Sequence, residues 1–106
     1  MSYLLINRMV TKPGKRDEVT AILLESSAVF EHIDACVMSL VSHDAAEADV
    51  IWVQDVWTDE AAHEAAMAEP GMREYVQRAI PLLAGMPEQH RMALVGGRVP
   101  FALPDE

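Results

Sequence analysis

The chain has 106 residues, 51% of them hydrophobic and 24% charged, with a formal net charge of −9. That length holds one domain, the composition is that of a globular rather than a disordered chain, and the acidic balance with no basic stripe argues against a nucleic-acid partner. Cys36 is the one cysteine, which excludes an intrachain disulfide. No apolar run approaches the roughly 20 residues of a membrane span, and the start lacks the pattern of a secretory signal. A cytoplasmic protein is the expectation.

Residues 3–10 form a short apolar run broken by Asn7 and Arg8 and read as the first strand. Lys12-Pro13-Gly14-Lys15 ends it, and Asp17 and Glu18 follow where the first turn of a helix favours negative charge. Val19, Ile22, Leu23, Ser26 and Phe30 fall on one face of that helix, which runs to about Phe30. Residues 36–42 are the second strand, 43–49 a small polar loop, and 50–57 the third strand. Thr58 is positioned to cap the next helix, with Asp59 and Glu60 at its positive end. Pro70 opens a further helix, in which Met72, Tyr75, Val76, Ala79, Ile80 and Leu83 mark an apolar stripe opposite Arg73, Glu74, Gln77 and Arg78. Pro81 should kink that helix, and Gly85 and Pro87 should stop it. Residues 89–99 are the fourth strand, with Gly96-Gly97 suggesting a bulge or a bend; residues 100–106 read as a tail to a domain spanning 1–99.

The order is β, α, β, β, α (broken), β. Right-handed crossovers place both helical layers on one face of a four-stranded antiparallel sheet. The strands are apolar on both parities, so the second face also needs cover, most simply by another copy around a two-fold axis. A homodimer is therefore expected.

The segment Asp55-Val56-Trp57-Thr58-Asp59-Glu60-Ala61-Ala62-His63-Glu64-Ala65-Ala66-Met67, with Pro70 and Ile80-Pro81-Leu82-Leu83 after it, resembles the third strand and second helical layer of the antibiotic-biosynthesis-monooxygenase-like family, which includes quinol monooxygenases. The resemblance extends over residues 3–99. It implies a ferredoxin-like α+β domain that pairs as a dimeric α+β barrel. It also implies a cofactor-independent oxygenase acting on a small aromatic quinol or anthrone-like molecule. Such a site needs an apolar pocket for the rings, a group to take a proton, and a donor to hold the resulting anion.

Several residues are candidates for those roles. Trp57 matches the tryptophan that ends the third strand in the family and lines its cavity. His63, six residues on, titrates near neutrality and could relay a phenolic proton. Asn7 matches an asparagine that enters the cavity of the related haem degraders. Tyr75, Met67 and Val53 would shape the substrate pocket, and Trp52, on the opposite strand face from Trp57, would face the dimer partner. Arg8, Asp55, Arg73 and Arg78 could each bind a carboxylated substrate or make surface ion pairs, and the pairs are the favoured reading.

The chain also departs from the pattern. A strand-three asparagine four residues before the tryptophan is replaced by Val53, and a histidine nine residues after it by Ala66. Ala66 and Val76 stand near the helical tryptophan and histidine of the haem degraders, which excludes that branch. No metal site is legible, because His63-Glu64 lacks a second imidazole at Met67 and the remaining histidines have no ligand spacing. Two further readings fit an apolar pocket with a base: a non-catalytic binder of small hydrophobic ligands, and an isomerase or cyclase of the same barrel group.

Overall fold

The computed structural model describes residues 2–100. Apart from Pro100, the expected tail lies outside the described residues. The element order is β1 (Ser2–Val10), α1 (Arg16–Phe30), β2 (Cys36–His43), β3 (Val50–Trp57), α2 (Glu60–Met67), α3 (Pro70–Ala79), a 3-10 turn at Ile80–Leu82, and β4 (Glu88–Leu94). The strands form one antiparallel sheet in the order β2-β3-β1-β4. Each βαβ crossover therefore spans one intervening strand, which is the ferredoxin-like arrangement expected from the sequence.

Strand parity sorts the core. In the β1–β3 register Tyr3, Leu5, Asn7 and Met9 stand opposite Trp57, Asp55, Val53 and Ile51, and this set faces the helices. The other parity, with Leu4, Ile6, Arg8, Trp52 and Val56, faces away from them. On that side the Trp52 indole donates to Asp44 Oδ1 at 2.9 Å, and Arg8 lies 5.9 Å above the Trp52 ring while pairing with Glu47 at 2.9 Å. A register shift in β2 between Cys36 and Met38 changes which of its residues point inward. After it, Ser39 and Val41 turn toward the helices, and Leu40 is left 48% exposed on the other side.

The helices differ from the sequence expectation at their ends. Asp59 rather than Thr58 caps α2, its Oδ1 accepting from the Ala62 N–H at 2.7 Å. Aspartate is as good an N-cap as threonine, and one residue further along it meets the free amide. Pro81 does not kink α3. The α-helix ends at Ala79, and the chain tightens into the 3-10 turn where proline can offer no amide. The fourth strand ends at Leu94, so Gly96 and Gly97 follow it instead of bulging it. Val76 and Ile80, expected on the buried stripe, are exposed.

Backbone hydrogen bonds fasten the end of the second helical layer to the end of β1. The Lys12 N–H donates to the Leu82 carbonyl and the Ala84 N–H to the Val10 carbonyl, both at 2.8 Å, around a Thr11–Leu83 bridge. At the same end Gly14 adopts φ +77°, a left-handed turn that glycine enters without strain and that leads into α1. A pair at 2.8 Å between Arg78 and Glu25 ties α3 to α1.

The buried apolar residues form two clusters. One contains Val19, Ile51, Val53 and Leu83; the other contains Phe30, Trp57, Ala66 and Met72. They sit toward opposite ends of the sheet, and the space between them is only partly filled.

Candidate functional site

That space is a cavity of about 440 Å³ between the sheet and the helices, within the range of small-molecule sites. Its walls draw on both clusters, Val53, Leu23 and Leu83 from one and Phe30, Met67 and Met72 from the other. The gap arises because α1 presents Ser26 and Ser27 where longer apolar side chains would close it. Ser26 Oγ donates to the Leu23 carbonyl at 2.8 Å, and Ser27 Oγ lies 3.1 Å from Ser39 Oγ. On the open side stand Val76, Ile80 and Met86, the last 85% exposed.

The floor is polar where the rest is not. Asn7 from β1 and Asp55 from β3 border the cavity, 7% and 5% exposed. Asn7 Oδ1 and Asp55 Oδ1 have no hydrogen-bond partner among the described residues. Burial pushes the Asp55 carboxyl above the usual carboxylate range, against the opposing pull of the Ser39 hydroxyl and the Trp57 indole N–H beside it. The sequence reading of Asp55 as a surface ion pair is thus corrected. Arg8 and Arg78 do make surface pairs, whereas Asp55 is buried without a cation.

His63 reaches the cavity from α2, its ring 5.2 Å from Trp57 and 5.8 Å from Tyr3. Burial lowers its pKa, with Arg91 acting in the same direction and Glu64 and Glu60 opposing, so its neutral, proton-accepting form is favoured at neutral pH. Tyr75, Met67 and Val53 all line the cavity. Trp57 does not, contrary to expectation. It is 0% exposed and sits behind Phe30 and His63, edge-on to both rings. Of the six residues singled out from sequence, five meet at one cavity, and Trp57 supports the imidazole from behind.

Sequence reasoning set Asp55 aside as a surface pair and missed Ser39, and also Gln89 and Arg91, which reach the rim from β4. Asp55 was accessible to it in principle. It lies two residues from Val53 and two from Trp57, and the period of two puts all three on one strand face. Cys36 offers no alternative nucleophile, since burial and the neighbouring Asp55 charge push its thiol up to about 11. Among the described residues, no group of three or more His, Cys, Asp or Glu could hold a metal ion, and no helix is long and apolar enough to cross a membrane.

Residues 2–78 match the sequence model of the family described as antibiotic biosynthesis monooxygenase. The chain belongs to the antibiotic biosynthesis monooxygenase family. A solved structure from Chloroflexus aurantiacus, also named for antibiotic biosynthesis monooxygenase, is 31% identical and superposes with a TM-score of 0.83, covering 93% of this chain and 98% of its own. SnoaB, a cofactor-independent oxygenase from Streptomyces nogalater, has the same fold at 19% identity, with a TM-score of 0.79 over 94% of this chain and 98% of its own. Rv0793 from Mycobacterium tuberculosis does so at 15% identity, with a TM-score of 0.82 over 93% of this chain and all of its own. No curated protein matches the sequence. The cavity of this antibiotic biosynthesis monooxygenase family member lies between the sheet and the helices.

Proposed function

We propose that the protein is a cofactor-independent monooxygenase that oxidises a small aromatic substrate, of quinol or anthrone type, with dioxygen. What supports this is the composition of the cavity: an apolar enclosure containing one neutral imidazole and two unpaired side-chain oxygens. Dioxygen reacts poorly with closed-shell organic molecules, so without a redox cofactor the substrate must itself become the electron donor by losing a proton. An apolar site suits an aromatic ring, and in it a buried dipole acts on a nascent anion more strongly than in water.

In an anthrone-type reaction His63 relays the proton that leaves the substrate, and Asn7 holds the oxyanion through its amide N–H. The anion passes one electron to dioxygen, and the resulting radical pair joins in a carbon–oxygen bond. Loss of water from that peroxide then leaves a carbonyl where the CH₂ had been. One oxygen atom ends in the product and the other in water. Tyr75, Met67 and Val53 position the ring, and Trp57 fixes the imidazole that faces it.

The working unit is proposed to be a cytoplasmic homodimer. The helix-free sheet face carries Leu4, Ile6, Leu40, Trp52 and Met92, and a second copy of the same sheet is the simplest cover for it.

Oxygen uptake with anthrone, corrected for autoxidation, tests the activity. The wild type should accelerate uptake, and His63→Ala should remove about 10²-fold or more of that acceleration, the scale of general acid–base catalysis. No acceleration by the wild type, or an unchanged rate in the variant, overturns the reading. Val53, in the position of a family asparagine, favours a second reading, a ligand-binding barrel without turnover. Ligand-induced thermal stabilisation without oxygen uptake would select it.

A further inference from the structure

Asn7 and Asp55 occupy adjacent central strands on the helix-facing side of the sheet. In the register Asn7 stands opposite Val53 and Asp55 opposite Leu5, so the two are diagonal neighbours and one bound molecule can reach both. Each is more than nine-tenths buried, each borders the cavity, and each has a side-chain oxygen without a partner. A buried acceptor left unpaired is costly and rare, and two side by side on the floor of one cavity call for a common explanation. Both of these cavity-bordering atoms are acceptors; the Trp57 indole nitrogen, a donor that is also without a partner, does not line the cavity. What the floor lacks is a hydrogen-bond donor, and the apolar walls say that this donor is carried by a largely apolar molecule.

The protein brings two donors near, the Ser39 hydroxyl and the Trp57 indole N–H beside the carboxyl, yet Asp55 Oδ1 and Trp57 Nε1 are both left without a hydrogen-bond partner, so neither closes onto Oδ1. The titratable groups around Asp55 are Cys36 on β2, His63 on α2, Tyr75 on α3 and Arg91 on β4, while α1 contributes only the Ser26 and Ser27 hydroxyls. Ser27 is engaged with Ser39, and Arg91 with Glu60 at 3.6 Å. None of these groups hydrogen-bonds to Asp55.

We propose that Asp55, with Asn7 beside it, is the docking point for an aromatic hydroxyl, so that the site selects the hydroxyl-bearing form of its substrate, a quinol or the enol of an anthrone, over an O-alkylated form. Asp55 then receives the hydroxyl proton. The phenolic O–H bond breaks, a carboxyl O–H bond forms and the electron pair stays on the ring oxygen; a half-turn of the Asn7 amide exchanges its unpaired Oδ1 for an N–H that donates to that oxygen. His63, half-buried at the wall, carries the proton onward to solvent. The raised pKa of Asp55 narrows the gap between carboxylate and phenol and so makes it the better acceptor. This deepens the oxygenase reading and rests on it for the aromatic nature of the substrate.

The test is anaerobic calorimetric titration with 1-naphthol and with 1-methoxynaphthalene, which differ in the hydroxyl proton. The wild type should bind the naphthol about tenfold or more tightly than the ether, the scale of one charge-assisted hydrogen bond. Asp55→Asn should erase that preference while still binding the ether. In the wild type alone, acidification through the raised Asp55 pKa should weaken naphthol binding and spare the ether, a readout that does not depend on the variant folding. Equal affinity for the two probes, binding of neither, a preference that survives in Asp55→Asn, or one that is flat with pH would each overturn the proposal. Oxygen uptake is scored separately. A naphthol preference without uptake upholds the docking point and sinks the oxygenase, and uptake without the preference does the reverse.

Discussion

Burial shifts Asp55 and His63 in opposite directions for a single reason, that each loses the hydration of its charged form. The consequences for stability have opposite signs. Asp55 binds its proton more tightly folded than unfolded, so its contribution is present below the ordinary value of 3.8 and is lost as pH rises through the folded pKa. Urea unfolding of Asp55→Asn should therefore show a gain over the wild type that grows from about pH 4 toward pH 7; parallel curves would contradict it. His63 binds its proton less tightly folded, so its contribution is present above 6.5 and is lost as pH falls through the folded pKa. His63→Gln should flatten that acid-side decline. The chemical type of His63 made it conspicuous in the sequence. Asp55 was hidden by its type, because aspartate is ordinarily a surface residue, and only the strand period of two places it inside.

Among the elements, α2 is the shortest α-helix and carries the imidazole. Eight residues are too few for a helix to persist on its own propensity, so its cap matters. Asp59→Ala removes the bond to the Ala62 amide and should cost about 1 kcal/mol, or roughly 4–8 °C in thermal midpoint for a domain of this size. Differential scanning calorimetry checks it, and an unchanged midpoint would show that packing against β3 alone holds the helix. Strand and helix positions were largely legible from apolar periodicity and from Pro13, Gly14 and Pro70. The bulge in β2 was not. One extra residue shifts the parity of everything after it, exchanging Leu40 for Ser39 at the cavity, and Cys-Val-Met-Ser-Leu carries no glycine to announce it. The polar side of the cavity therefore had to be found in three dimensions. The end of α3 was misjudged because proline reads equally as a kink or a stop.

For the molecule as a whole, the helix-free face of the sheet governs assembly. Sedimentation equilibrium at micromolar concentration should give twice the mass of one chain, and Ile6→Lys combined with Leu40→Glu should give a single chain with its fold intact by circular dichroism. A monomeric wild type would refute the dimer while leaving the cavity unchanged. The backbone fastening of residues 10–12 to residues 82–84 has a separate effect. At that end the separation of sheet and helical layer is fixed by main-chain bonds, which side-chain replacement leaves in place. At the other end it is set by Met67, Met72 and Tyr75, two of them flexible thioethers. The site is thus built like a caliper with one fixed jaw and one adjustable jaw, and acceptance of a wider or narrower ring system can drift by exchange of those three side chains without disturbing the frame.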